Sequence, residues 1–195
     1  MRKGRVFKVL GAILLCSAIV PISASANTFS GGRSSAIFSA YYDVSVSQYG
    51  YTSIYDDGRT NWNGVSSKVT VSKSSSNCSS CDEYYAGTTA NNGLLGYTQP
   101  YNSFHVALVI TANNTWKYCV LSLYDNQIKA SNAGSSGPGL TRAEIVSSVT
   151  THEIGHSLSL AHSPSGTTSV MTANDITDFA PNTYDKNELK SKWGN

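Results

Sequence analysis

Between residues 34 and 124 the chain tends to alternate apolar and polar positions, and beyond residue 140 apolar positions recur every three or four residues. SSAIFSAYYDVSV (34–46) opens as an extended apolar and aromatic stretch. KVTVS (68–72), with Val69 and Val71 between polar neighbours, reads as a strand. YYAGT, LLGYT, FHVALVIT and YCVLSLY continue in the same style, with Asn113 and Asn114 as the expected turn between the last two. A short helix is expected between Thr52 and Trp62 despite Gly58, while KSSSNCSSC (73–81) and NAGSSGPG (132–139) read as loops.

In LTRAEIVSSVTTHEIGHSLSL the period changes, with Leu140, Ile145, Val149, Ile154, Leu158 and Leu160 at roughly helical spacing. Thr141 followed three residues later by Glu144 is a capping-box signature, which starts the helix near Thr141 behind a Gly-Pro-Gly loop. In YDKNELKSKWGN, Asp185 and Glu188 repeat the cap pattern, and Gly194 stands where a final helix would stop. No internal repeat or linker divides residues 27 to 195, so one domain with a layer of strands and a few helices is the expected organisation.

The first 26 residues fall outside that pattern. MRKGRVFK carries four positive charges, VLGAILLCSAIV is an apolar run of twelve, and Ala24-Ser25-Ala26 is a small-x-small cleavage site. The run is shorter than the roughly 20 apolar residues that span a bilayer, and Leu15 before Cys16 is too large for lipoprotein processing. The segment therefore reads as a signal peptide, with a secreted, extracellular product beginning at Asn27. Its removal takes four of fourteen basic residues and none of twelve acidic ones, leaving ten against twelve, a net charge of −2. The basicity of the whole chain belongs to the signal, so neither nucleic acid nor, after its removal, a membrane is an expected partner.

Three cysteines remain, Cys78, Cys81 and Cys119. In an oxidising compartment they imply one disulfide, either from Cys119 to a member of CSSC or within CSSC. A structural zinc site of these three with His105 is a sharper alternative, but zinc sites usually show two tight ligand pairs and the second is missing. Thiol-disulfide catalysis by CSSC lacks the strand-to-helix context it would need.

THEIGHSLSLAHS (151–163) concentrates three of the four histidines. A helix turns about 100° and rises about 1.5 Å per residue, so His152 and His156 share a face about 6 Å apart along the axis. Glu153 is turned too far to be a third ligand in that plane, but near enough to hydrogen-bond a water on the metal as general base. His162, six residues after His156, reaches the same ion only if the chain breaks and turns back. Three neutral imidazoles with one exchangeable position favour catalytic Zn²⁺ over a closed structural site.

This pattern resembles HExxHxxGxxH with a methionine turn, the mark of the metzincin metalloproteases, and is most similar to their matrixin branch. The resemblance implies that His152, His156 and His162 are zinc ligands, Glu153 the base and Met171 in SVMT the Met-turn residue beneath the metal. It implies a metzincin-like α+β fold with a twisted, mixed, mostly parallel sheet, an active-site helix and a C-terminal helix. GLLGYTQP (93–100) is similar to the edge strand that pairs with substrate, giving Leu94, Leu95, Gly96 and Tyr97 as binding residues. PNTY resembles the specificity-pocket wall and adds Pro181, Asn182 and Tyr184. Ser159 departs from the motif by standing where it has glycine, and Ala173 means that no tyrosine follows Met171 by two residues. Neither the cysteine switch nor the second, histidine-held zinc of animal matrixins has a visible equivalent. Calcium would need Asp or backbone oxygens, and no Asp cluster marks such a site.

The function these residues imply is a secreted, monomeric zinc endopeptidase that hydrolyses peptide bonds in extracellular proteins. A catalytically silent zinc-binding module is the competing class, although zinc binding alone would not need Glu153. An amidase acting on cell-wall peptide shares the reaction and differs in polymer.

Overall fold

The computed structural model describes residues 27–134 and 140–195; the signal segment and the Gly-Pro-Gly run expected before the long helix lie outside them. The elements run β1 (Gly32–Arg33), β2 (Ala36–Tyr42), α1 (Val44–Gln48), α2 (Thr52–Trp62), β3 (Val69–Ser74) and β4 (Asp82–Gly87). They continue with β5 (Gly96–Tyr101), β6 (Thr115–Trp116), β7 (Tyr118–Tyr124), α3 (Asp125–Gly134), α4 (Arg142–Ser157) and α5 (Thr183–Trp193). Five strands form one sheet in the order β3-β2-β4-β7-β5, and β1 pairs with β6 apart from it. The first four strands are parallel; β5 lies antiparallel to β7, with Thr98 opposite Leu121, and forms one edge. The fold is thus α+β with a mixed, mostly parallel sheet.

Alternation explains the sheet. Leu121 and Leu123 of β7, Tyr84 of β4 and Ala40 of β2 are fully buried between half-exposed neighbours, as strands with one packed face require. α2 and α4 pack against each other behind this face. Gly58 is needed for the crossing, since a Cβ there would lie 2.7 Å from Cγ2 of Thr150 on α4. Trp62 closes the contact by donating its indole N–H to the Thr151 carbonyl at 2.8 Å. At the other end of α4, Ser157 donates to the buried carboxylate of Asp82, which also accepts the Cys119 N–H at 2.7 Å and pairs with Arg33. A buried carboxylate with several donors ties the first strand, the sheet centre and the helix end together.

Several expectations need correction. FHVALVIT is not a strand: the Asn102 side chain accepts the Phe104 and Val106 N–H groups at 2.9 and 3.0 Å, and His105 turns to φ 59°. That local alternative takes the backbone out of a ladder, leaving one bridge, Tyr101 to Ala107, and exposing Phe104, Val106 and Val109. NAGSSGPG does not begin a loop at 132, because α3 runs on to Gly134. The cap of α5 falls three residues earlier than expected. Asn182 is the N-cap, accepting the Tyr184 and Asp185 N–H groups, and Asp185 is the third-residue partner of the box.

Cys78 and Cys81 form the disulfide, which removes both from any structural zinc site, and Cys119 is free and buried with its thiol pKa pushed up by burial. The unreduced protein from residue 27 onward should therefore carry one thiol that a maleimide labels after denaturation and not before. Mass spectrometry that finds the label on Cys78 or Cys81, or on the native protein, would refute this pairing.

Candidate metal centre

The capping box predicted for α4 is present. Thr141 accepts the Glu144 N–H, and the Glu144 carboxylate returns to the Thr141 N–H at 2.7 Å. From that start the helix carries His152 and His156 to one face, with ring centroids 4.6 Å apart. The helix then ends as a Schellman turn. Ser159 takes φ 70°, its N–H reaches the His156 carbonyl at 2.9 Å, and the Leu160 N–H reaches the Gly155 carbonyl at 3.0 Å. Ser159, although not glycine, therefore takes the left-handed conformation. Its hydroxyl caps no carbonyl but accepts the Arg33 N–H at 3.4 Å, in space left by Gly32, where a Cβ would collide with it.

The reversed chain is held by the first described residues. Phe29 donates to the Ser159 carbonyl at 3.0 Å, Ala161 donates to that of Asn27 at 2.9 Å, and Thr28 bridges Leu160. Trp193 of α5 donates to the Leu158 carbonyl, one of those a helix C-terminus leaves unpaired, at 2.9 Å. His162 is thereby brought to the pair, with centroids 5.1 Å from His152 and 4.8 Å from His156. One nitrogen from each of the three lies within 4.8 Å of the others, so together they could hold one metal ion.

The tautomers follow from the outer partners. Nδ1 of His152 lies 2.8 Å from the Val170 carbonyl and Nδ1 of His156 2.9 Å from that of Leu160, so both donate there and leave Nε2 as the lone pair. Nε2 of His156 is 3.2 Å from Nε2 of His162. Burial holds His152 down to about 4 and His156 well below the ordinary imidazole range, and also lowers His162. All three are neutral near pH 7, the form in which imidazole ligates.

The support of His152 begins at Asp185. This buried carboxylate accepts the Val170 N–H at 3.2 Å, the Asn182 N–H at 3.0 Å and the Ser169 hydroxyl, whose oxygen accepts the Met171 N–H at 2.9 Å. Val170 is thus fixed from behind while its carbonyl orients the imidazole. Met171 is buried below α4, where a Cβ on Gly155 would collide with its sulfur.

Glu153 and the three histidines line one cleft of about 720 Å³. Burial pushes the Glu153 carboxyl up to about 7, opposed by a hydrogen bond from the Thr98 hydroxyl at 2.6 Å. Gly96 lets β5 lie against this carboxyl, since a Cβ there would sit 2.9 Å from Cγ of Glu153 and 2.7 Å from Val149. Leu94, Leu95, Gly96 and Tyr97 line the cleft. Pro181, Asn182 and Tyr184 are not among its lining residues: PNTY serves the cap of α5, and residues 172–176 line the cleft instead. Thr98, Val149 and α3 were missed as cleft residues. Thr98 could have been found by strand periodicity, two positions from Gly96, and Val149 by helix periodicity, one turn before Glu153.

No family model matches this chain, and no curated protein matches it. Among solved structures, a chain from the "GM1 bound form of the ECX AB5 holotoxin" is 13% identical over 80% of each chain with a TM-score of 0.49. A likeness at that level carries no argument about this protein.

Two predictions follow from the geometry. Ser159→Gly relieves left-handed strain of about 1–2 kcal/mol but loosens the unfolded chain by about 0.4–1 kcal/mol, so the metal-free protein should melt about 2 °C higher with metal binding kept. A lower melting temperature with weaker metal binding would contradict the strain. The second concerns acid. Between about pH 6.5 and 4 the unfolded chain takes up protons on three histidines that the metal-free fold resists. Stability should therefore fall as pH drops through this window. Glu153 works the other way, since between 7 and its ordinary value near 4.5 the fold holds a proton that the unfolded chain does not. Glu153→Gln should thus steepen the acid loss in melting curves at pH 7, 6 and 5; a flatter profile would reverse the assigned sign.

Proposed function

We propose that this protein is a secreted zinc-dependent endopeptidase of metzincin type, similar to the matrixin branch, acting on peptide bonds of extracellular proteins. The observation that carries the reading is the convergence of three histidine nitrogens beside a buried glutamate, in a cleft bordered by an open strand edge. The 3.2 Å between Nε2 of His156 and of His162 compares with about 3.3 Å expected for two nitrogens on one tetrahedral zinc. Neutral imidazoles with oriented Nε2 lone pairs suit that ion, and calcium, which prefers oxygen ligands, has no such set here. The left-handed turn at Ser159 and the placement of Met171 against Gly155 support the metzincin assignment. The Cys78–Cys81 disulfide supports export to an oxidising compartment.

A zinc held by His152, His156 and His162 would supply Lewis acidity to a carbonyl oxygen and lower the pKa of water toward about 7. The chain's own residues do the rest. β5 leaves the backbone of Gly96 to Gln99 on its outer side for an extended peptide to add as a strand, beyond which the bridge at Ala107 covers the edge. Glu153 takes the proton of the attacking water and returns it to the leaving amine. One carboxyl can serve both steps, accepting the proton as base and giving it back as acid. The carbonyls of Val170 and Leu160 keep two ligand rings in place throughout.

A peptide library digested with and without a zinc chelator should show cleavage that the chelator abolishes. Glu153→Ala should keep one zinc per chain by metal analysis and lose about 10²- to 10⁴-fold in activity, whereas His156→Ala should lose the zinc. Chelator-insensitive cleavage, or full activity in Glu153→Ala, would refute the reading. Stoichiometric zinc with no cleavage of any peptide would point to the silent module.

A further inference from the structure

Thr98 lies on the edge strand with its side chain turned into the protein, and it is 2% exposed. Its hydroxyl has one proton and two acceptors on the same residue of α4, the Glu153 carbonyl at 2.9 Å and Oε2 of the Glu153 carboxylate at 2.6 Å. Gly96, on the same face of β5, stands beside the other oxygen: a Cβ there would be 3.0 Å from Oε1. The strand thus holds one carboxylate oxygen by a hydrogen bond and leaves room at the other. Free rotation about the last bond of a glutamate exchanges its two oxygens, and a charge-assisted hydrogen bond to one of them stops that exchange.

We infer that Thr98 is a positioning residue for Glu153: its hydroxyl fixes Oε2, so that Oε1 is the oxygen presented to the cleft to take and release the proton. The inference rests on the peptidase reading for its catalytic consequence, and on geometry alone for the contact. The Thr98 hydroxyl serves both forms of the base, because Oε2 remains an acceptor whether or not Oε1 carries the proton. Threonine does this better than a longer donor would. Its short side chain is anchored in a paired strand, and β-branching leaves it little χ1 freedom.

The test has two arms. In the first, melting temperatures of the zinc-loaded wild type, Thr98→Val, Glu153→Ala and the double variant form a cycle that needs no activity. Direct contact predicts that the two losses are not additive, the double variant being more stable than their sum implies; additive losses overturn the contact. In the second, Thr98→Val should lower kcat by about tenfold or more with KM and zinc content near wild type, as expected for loss of a hydrogen bond to a charged group. Thr98→Ser, which restores the hydroxyl without the methyl, should recover most of it. Unchanged kcat in Thr98→Val, or equal losses in the serine and valine variants, overturns the positioning role. If valine does not fold there, Thr98→Ala against Thr98→Ser makes the same comparison. A wild type that cleaves nothing refutes the peptidase reading and this catalytic role with it, while the melting cycle still decides the contact.

Discussion

A straight helix presents residues four apart to one point but turns the residue six further on by about 240°, so it cannot bring three ligands to one ion. The candidate centre depends on breaking this rule once. The break is at Ser159, whose left-handed backbone turns the chain back so that His162 meets His152 and His156. A residue with a Cβ is strained there, and the surrounding structure accommodates it from several sides. Gly32 leaves room for the hydroxymethyl group, Arg33 donates to its oxygen, and the strand-like pairing of Asn27 to Phe29 with Ser159 to Ala161 fixes the direction of the reversed segment.

The remaining parts of the fold each hold one side of that junction. α2 sets the depth of α4 through Gly58 and the Trp62 indole, and Asp82 ties the last turn of α4 to the sheet. α5 contributes at both ends. Asp185 in its first turn fixes Val170, the acceptor of His152, and Trp193 in its last turn binds the Leu158 carbonyl. The edge strand closes the site by pressing Gly96 and Thr98 onto Glu153. Desolvation from this packing keeps the imidazoles neutral and raises the carboxyl toward neutral pH, so the same burial that stabilises the fold sets the protonation of all these groups in the metal-free protein.

The parts legible in the sequence were those fixed by local rules. The 3.6-residue period and the Thr141–Glu144 box located α4, alternation located the strands around Val71, Tyr84 and Leu121, and the spacing of three histidines picked out the side chains that the fold brings together. Parts decided by side chains competing with the backbone were not legible. Asn102 satisfies two N–H groups of an apolar run that would otherwise read as a strand, and Asn182 claims the cap that Asp185 and Glu188 imitate. Contacts distant in sequence were hidden too. Nothing in PNTY announces that Asp185 reaches back to Val170, and nothing in the residues after Ala26 announces that they brace the turn at Ser159.

The central claim is that the turn at Ser159 delivers His162 as the third ligand of a single ion. X-ray absorption at the zinc edge tests it most directly, applied to the zinc-loaded protein and to its His162→Ala variant. The account predicts a four-coordinate wild-type site with three imidazoles and one lighter ligand at about 2.0–2.1 Å, falling to two imidazoles in the variant. Identical spectra for the two proteins, or a shell containing sulfur, would contradict it.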